Sequence, residues 1–387
     1  MVIGIPREIL DQENRVAALP ETVRAYVQMG FEVAVERNAG TFALATDEAY
    51  AEAGARIADN AEDLYARSEI ILKVKQPCFN QSLGRHEVEL MREGAILISF
   101  LHPAAPANHD MIRMLAQRGI TSFTLDSIPR ISRAQPMDAL TSMSTVTGYR
   151  AVLMAAIALP KFIPMLGTAI GTIKPARFLI VGAGVVGLQA IATAKRLGAP
   201  VTAVDINEQA RKAAESLGAK IGGFDVPPQL AVDANGYARA LPAEWLEKER
   251  AALAPLLEQA DVAIFSALVP GEVAPVLATA AMVERMRPGS VIIDVAIDQG
   301  GNCALTEPGV ESRAGGVHIC GRLNIPGSMP VHASWLYAQN VLNFVRNLFK
   351  KGTTPDWSDE IVAHTLVTRG GQILHQGALK AMQALVR

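Results

Sequence analysis

The chain has 387 residues, of which 50% are hydrophobic and 5% aromatic, and a formal net charge of −2. This length predicts two domains of ordinary size, and the nearly neutral charge argues against a nucleic-acid partner or binding to an anionic membrane surface. The three cysteines, Cys78, Cys303 and Cys320, lack the spacing of a zinc site, so we expect no metal and a reducing compartment.

The first stretch of the chain alternates short apolar runs with helical patterns. Predicted strands lie at 1–5, 32–36, 70–74, 95–100 and 120–125. A helix is expected over 21–29, and Thr46 precedes two acidic residues as a helix N-cap would. This alternation predicts a parallel sheet with helices on both faces.

The most apolar long window, 151–170, raises the question of a membrane span. Pro160, Lys161 and Pro164 interrupt it before about 20 uninterrupted apolar residues, the length that a span requires. We therefore expect a buried helix and its exit loop here. We also expect no export signal at the N-terminus, because Met1 is followed directly by a strand-like run.

A second alternating series opens with a strand predicted at 177–182 and a glycine-rich turn. Gly182 permits the tight turn, Gly184 lets the backbone approach a pyrophosphate, and Gly187 lets the next helix pack closely. The helix predicted over 184–197 then presents free N–H groups and the positive end of its dipole. The pattern predicts a dinucleotide site.

Asp205 closes the next predicted strand, 201–205. A carboxylate at this distance from the glycine turn typically accepts hydrogen bonds from the adenosine ribose hydroxyls. Because it would repel a 2′-phosphate, the sequence favours NAD(H) over NADP(H).

Together these patterns predict an α/β protein with two doubly wound, Rossmann-like domains separated by a cleft. A helix is predicted over 208–216 and further strands at 261–266, 290–295 and 317–322. A helix over 333–349 and a hairpin near 370–371 follow the second sheet. We expect a first domain of 1–142 completed by 325–387, an NAD(H)-binding domain of 143–324, and a mobile loop within 223–240.

The run from Arg130 to Asp138 has little apolar periodicity and precedes a long helix beginning near residue 140. An amide such as Gln135 can match both the donor and the acceptor of a carboxamide, and an Arg–Asp pair can fix the shape of a loop. The run is either a functional loop or a surface turn with a local ion pair.

This run, the glycine turn, the Gly236–Tyr237 segment, Ala267–Gly271 and Gly300–Cys303 together resemble the NAD(H)-binding alpha subunit of proton-translocating nicotinamide nucleotide transhydrogenase. The resemblance implies direct hydride transfer between NAD(H) on this chain and NADP(H) on a partner subunit, coupled to proton movement through a membrane-spanning subunit. It further implies a homodimer in the cytoplasm, peripheral at the inner face of the membrane through those partners, with no span of its own.

The resemblance also assigns residues. Arg130, Gln135 and Asp138 would position the nicotinamide, Thr141 would replace a family serine, and Tyr237 would cover the nucleotide from a mobile loop. The implied cofactor-binding set is Arg130, Ile131, Ser132, Gln135, Asp138, Thr141, Gly182, Gly184, Val185, Val186, Gly187, Asp205, Ile206, Asn207, Gly236, Tyr237, Ala267 and Leu268.

A second set of residues matches the sister family of alanine dehydrogenases. There Arg15 and Lys75 would bind the carboxylate and carbonyl of pyruvate, and His102 and Asp298 would handle protons. Each also has a structural interpretation, as a solvated cation, a packed histidine or a loop acid. The alternative function is therefore an NAD-dependent amino-acid dehydrogenase acting on pyruvate and alanine.

Overall fold

The computed structural model describes residues 1–232, 238–269 and 273–384. The chain divides into two compact units, 1–143 with 326–387, and 144–325. Each unit has its own large sheet, mostly parallel, as the sequence predicts. The boundary falls within a long helix, immediately after Met143.

The first unit alternates strands and helices from its first residues. In chain order its elements are β1 (Val2–Ile5), α1 (Pro20–Gln28), β2 (Glu32–Glu36), α2 (Asp47–Glu52), β3 (Ala55–Ala58), α3 (Ala61–Arg67), β4 (Ile70–Leu72), β5 (Phe79–Asn80), β6 (Arg85–His86), α4 (Glu87–Leu90), β7 (Ile96–Ser99), α5 (His109–Gln117), β8 (Thr121–Thr124) and the start of α6 (Ala139–Ala158).

The second unit begins within α6 and follows the same pattern. Its elements are β9 (Leu166–Thr168), β10 (Gly171–Ile173), β11 (Phe178–Val181), α7 (Val185–Arg196), β12 (Val201–Val204), α8 (Glu208–Ser216), β13 (Lys220–Ile221), α9 (Pro228–Ala231), α10 (Ala243–Gln259), β14 (Val262–Phe265), α11 (Ala280–Glu284), β15 (Val291–Asp294), β16 (Glu311–Ala314) and β17 (Val317–Cys320).

The chain then supplies the last elements of the first unit. These are α12 (Pro330–Leu348), α13 (Glu360–Thr365), β18 (Leu366–Arg369), β19 (Gln372–Ile373) and α14 (Gln376–Ala384).

The first sheet has the strand order β19-β18-β8-β7-β4-β1-β2-β3. Its strands are parallel except for the C-terminal hairpin, in which β18 runs antiparallel to both β8 and β19. The second sheet has the order β13-β12-β11-β14-β15-β17-β16, and only β16 among the described strands runs antiparallel to its neighbour. In each sheet the parallel strands place their carboxyl ends along one edge.

Apolar burial explains why these runs form parallel strands. β11, β14 and β15 are buried along their whole length, as expected for strands covered by helices on both faces. One face packs against α7, and the other packs against α10 through Leu253 and Leu257. The sequence analysis did not predict α10, β3, β13 or β16.

The window 151–170 holds the end of α6, which buries Ala151, Val152 and Ala155 as expected, but a short hairpin follows where only an exit loop was expected. β9 and β10 form an antiparallel hairpin, and the apolar side chains around it are exposed, including Ile157 at 82%, Met165 at 66% and Ile170 at 98%. Sequence hydropathy does not distinguish burial within one chain from an apolar surface left open. None of the helices in the described residues combines the length and apolarity that crossing a bilayer demands.

Candidate functional site

The glycine turn lies at the carboxyl edge of the second sheet. Val181, the last residue of β11, pairs with Val204 of β12 and Phe265 of β14, so these strands end at the same level. In doubly wound sheets this edge is where ligands bind.

Two of the three glycines are required by packing. Gly182 has a φ of +90°, and a Cβ there would lie 2.7 Å from the Ala267 nitrogen. A Cβ on Gly187 would lie 1.9 Å from the Gly182 carbonyl oxygen, closer than any real contact. Gly182 lets the turn pass close to the end of β14, and Gly187 lets α7 pack closely against the turn, as the pattern predicts.

Gly184 differs from its neighbours, because an added Cβ would meet nothing within 4 Å. It is the N-cap residue of α7 and supplies no side-chain cap to the helix. The first N–H groups of α7 therefore lack a partner from their own cap residue, beside open space. A helix N-terminus of this kind suits a phosphate, so the residues present fit a dinucleotide.

Asp205 lies directly after β12, and its carboxylate accepts a hydrogen bond from the glycine turn. Its two carboxylate oxygens accept hydrogen bonds from the Ala183 N–H, at 2.6 Å, and the Asn207 N–H, at 2.7 Å. Burial raises the pKa of this carboxyl above its ordinary value, although both N–H donors act to lower it. Each oxygen keeps a lone pair that could accept a ribose hydroxyl.

The segment after β14 is fixed by Asn302, which lies within the Gly300–Cys303 motif, and by Asp294, which was not predicted as a site residue. The Asn302 amide accepts from the Ala267 N–H at 3.0 Å and donates to the Ala267 carbonyl at 2.9 Å. Asn302 is itself held by Asp294, whose carboxylate accepts from the Asn302 N–H at 2.9 Å. Asp294 closes a buried strand, a signal that could have identified it.

In the first unit, the run from Arg130 contains a 3₁₀ turn, Ser132–Met137, that leads into α6. Arg130 and Gln135 are exposed, whereas Ala134 and Met137 are buried beneath the turn. Asp138 accepts from the Thr141 N–H at 2.9 Å and the Thr141 hydroxyl at 2.6 Å. Asp138 and Thr141 therefore lie together, at the start of the helix.

The residues of the alternative set follow strands of the first sheet. His102, after β7, has a φ of +45°, which is unusual for a residue other than glycine, and its Nδ1 lies 2.7 Å from Asp126 Oδ1. Burial acts to raise the pKa of Asp126, but the charge and hydrogen bonds of His102 outweigh it and lower that pKa to about 2. The sequence analysis missed Asp126, which follows β8.

Arg15 is buried, with 2% of its side chain exposed, and bonds Glu13 through Nε at 2.7 Å and Nη2 at 2.5 Å. Lys75 is half-buried. Lys73, two residues earlier, is buried in a cluster of charges. Its Nζ lies 2.9 Å from a carboxylate oxygen of Glu87 and 3.3 Å from one of Glu8.

The remaining predicted residues lie elsewhere. Asp298 is exposed in the turn after β15, within the second unit. Val185 and Val186 begin α7, while Ile206 and Asn207 follow Asp205, and Asn207 caps α8. Leu268 follows Ala267. Gly236 and Tyr237 fall outside the described residues, as do other residues of the loop expected to be mobile.

Family models match both halves of the chain. The N-terminal domain of alanine dehydrogenase/PNT matches residues 4–147, and the C-terminal domain of the same family matches residues 151–376. The chain belongs to the alanine dehydrogenase/PNT family. The domains of this family bind NAD(H).

Within the alanine dehydrogenase/PNT family, the chain is 45% identical to an NAD(P) transhydrogenase subunit alpha of Rhodospirillum rubrum, over 97% of this chain and 98% of the relative. A solved transhydrogenase from Sinorhizobium meliloti is 36% identical, with a TM-score of 0.83, over 97% of this chain and 99% of that one. A solved L-alanine dehydrogenase is 30% identical, with a TM-score of 0.83, over the whole of both chains. The predicted resemblance to transhydrogenase alpha subunits, with alanine dehydrogenase as a sister, is confirmed, and the chain is a member of an oxidoreductase family.

Proposed function

We propose that the chain is the NAD(H)-binding alpha subunit of a proton-translocating transhydrogenase. It would exchange hydride directly with NADP(H) on a partner subunit, and a membrane-spanning subunit would couple the exchange to proton movement. The observation that carries this proposal is the uncapped, open start of α7 beside Asp205, in a chain 45% identical to a transhydrogenase alpha subunit over 97% of its length.

The α7 N-terminus would hold the pyrophosphate, Asp205 the adenosine ribose, and the 130–138 run the nicotinamide end. When bound, the nicotinamide supplies a hydride donor or acceptor at carbon. The protein must place the two reacting rings about 3–3.5 Å apart and exclude water, so no proton donor is required. Arg130, Gln135 and Asp138 would orient the ring.

One observation favours the alternative function, an alanine dehydrogenase-like enzyme acting on pyruvate and alanine. The His102–Asp126 pair, 2.7 Å apart at the carboxyl edge of the first sheet, could handle a proton. Against it, Arg15 is buried and two of its guanidinium nitrogens already donate to Glu13. Fewer of its N–H donors therefore remain for a substrate carboxylate.

Two assays on the purified chain separate these functions. With NADH, pyruvate and ammonium, a transhydrogenase subunit should be silent and an alanine dehydrogenase active. Mixing the chain with an NADP(H)-binding transhydrogenase subunit should give hydride transfer only in the first case. If the chain oxidises NADH with pyruvate and ammonium and gives no transfer in the mixture, the main proposal is wrong.

We also propose a homodimer, which would attach to the inner face of the membrane only through its partner subunits. The exposed apolar surface around the β9–β10 hairpin supports self-association, because monomeric proteins seldom leave such a surface uncovered. Ile170→Asp should lower the sedimentation coefficient to that of a monomer. Phe42→Asp, at a side chain 63% exposed in the other unit, is the control and should leave the dimer intact.

A further inference from the structure

The turn Ser132–Met137 needs support from outside itself. It is a 3₁₀ helix of 6 residues, longer than the three or four that such helices usually reach, and Pro136 within it has no N–H to donate. Gln135 lies within this turn and Arg130 two residues before it, and both side chains are exposed.

Helix α12 provides one support. The amide of Asn340, whose side chain is almost fully buried, donates to the Pro136 carbonyl at 2.8 Å. Asn343, on the next turn of the same helix, donates to the same carbonyl at 3.4 Å. The C-terminal end of the 3₁₀ turn is thereby hydrogen-bonded to a 19-residue helix.

Arg133 provides the second support. Its guanidinium nitrogens lie 2.9 and 3.4 Å from the two oxygens of Asp359, 226 residues further along the chain, and 3.0 Å from Glu360. A bidentate pair of this kind fixes orientation as well as distance. An Arg–Asp pair was expected within the run itself, whereas Arg133 pairs with Asp359, far along the chain.

Asp359 is a rigid acceptor. Only 4% of its side chain is exposed, and its carboxylate also caps α13 through the Ile361 N–H at 2.9 Å. Lys350 and Asn347 donate to it at 2.5 and 3.2 Å. Burial acts to raise the pKa of Asp359, but the bonds from Lys350, Arg133 and Asn347 outweigh it and hold that pKa well below its ordinary value. The carboxylate therefore stays charged at neutral pH.

We infer that Arg133, Asn340 and Asp359 are positioning residues for the candidate site. They fix the 3₁₀ turn, and through it Arg130 and Gln135, without touching the nucleotide themselves. The inference rests on the proposed function, since it assigns the turn to nicotinamide placement. It differs from the interpretation of the run as a surface turn, in which an ion pair would contribute little.

The test compares Arg133→Ala, Arg133→Lys and Asp359→Asn with wild type. Asn caps a helix about as well as Asp, so Asp359→Asn removes the charge and keeps the start of α13. Arg113→Ala is the control, because Arg113 pairs with Asp110 on the exposed face of α5, away from the turn. The readouts are hydrogen–deuterium exchange over residues 130–140, NADH affinity, and hydride transfer to the NADP(H)-binding subunit at saturating nucleotides.

Arg133→Ala should speed amide exchange in the turn and lower kcat about 10- to 100-fold, the range expected when reacting groups are displaced by about 1 Å. The NADH Kd should stay within about threefold, because the residues proposed to hold the adenosine ribose and the pyrophosphate, Asp205 and the start of α7, are unchanged. Arg133→Lys should restore kcat only partly, since an ammonium cannot form the bidentate pair. Arg133→Ala combined with Asp359→Asn should be no worse than the more damaging single change.

Unchanged exchange in Arg133→Ala, or faster exchange with unchanged kcat, would overturn the inference. A large rise in the NADH Kd with unchanged exchange would also overturn it, because Arg133 would then contact the nucleotide. If wild type transfers no hydride in the mixture, the proposed function fails. Exchange over residues 130–140 then decides alone whether these residues hold the turn.

Discussion

The two glycines that begin α7 should respond in opposite ways to the same substitution. A Cβ on Gly187 would lie 1.9 Å from the Gly182 oxygen, about 1 Å inside the shortest contact that backbone atoms tolerate. The turn or the helix must move, and overpacking of this kind costs about 1–3 kcal/mol. For a unit of this size that lowers the Tm by roughly 2–12 °C.

Gly184→Ala should leave the fold intact. Gly184 has a φ of −71°, which alanine adopts freely, and its Cβ would meet nothing within 4 Å. Replacing glycine removes freedom from the unfolded chain, but alanine is a poorer N-cap than glycine, so the two effects oppose each other and the Tm should change little. The methyl group would occupy the open space where we place the pyrophosphate. Losing one hydrogen bond to a charged group there costs about 1.5–3 kcal/mol, a 10- to 100-fold weaker NADH affinity.

Differential scanning fluorimetry and isothermal calorimetry with NADH measure both effects on the same samples. The reasoning requires Gly184→Ala to lose affinity at unchanged Tm, and Gly187→Ala to lose Tm. If Gly184→Ala binds NADH as wild type does, the phosphates do not approach the start of α7, and the assignment of the glycine turn is refuted.

Three further predictions concern charge and placement. Wild type should bind NADH at least about tenfold more tightly than NADPH, and Asp205→Asn should bring the two affinities measured by calorimetry closer together, because it removes repulsion of the 2′-phosphate. Burial and the charge of Asp205 raise the pKa of Glu249 from 4.5 to about 7. The folded unit then binds more protons than the unfolded chain between these pH values, so the free energy of unfolding should fall by roughly 3 kcal/mol as pH rises through them. Urea unfolding of Glu249→Gln should show much less of this fall; an equal fall would assign it to other groups. Gln135→Asn should slow hydride transfer about tenfold and leave the NADH Kd within a few fold, and the reverse pattern would make Gln135 an anchor instead.

The glycine turn could be predicted from sequence because most of its determinants are local, the exception being the close approach of Gly182 to Ser266 and Ala267. The strand, the turn, the start of α7 and Asp205 all lie between residues 178 and 205, and the contacts that require Gly187 and hold Asp205 join residues from this stretch or next to it. Most strands of the two sheets could also be predicted, since buried parallel strands are continuous apolar runs in the sequence.

The supports of the 132–137 turn could not be predicted in this way. Asn340 and Asp359 lie more than 200 residues from the turn, and their side chains act only because α12 and α13 fold back beside it. α10 was missed for a different reason. Its residues are mostly good helix formers, but its first half is rich in charge and Pro255 lies inside it, so no clear apolar periodicity indicated a helix.

Fold alone does not decide between the two candidate functions. The solved transhydrogenase and the solved L-alanine dehydrogenase match this chain with the same TM-score, 0.83, so the decision rests on side chains. His102 and Asp126 form a pair that could transfer a proton. An alanine dehydrogenase also needs a cation that binds the carboxylate of its substrate. Arg15 is buried and bound to Glu13 through two of its nitrogens, and Lys75, the other cation assigned to this role, is half-buried. Ring placement by the 132–137 turn requires no such cation, which is why the transhydrogenase proposal is the stronger one.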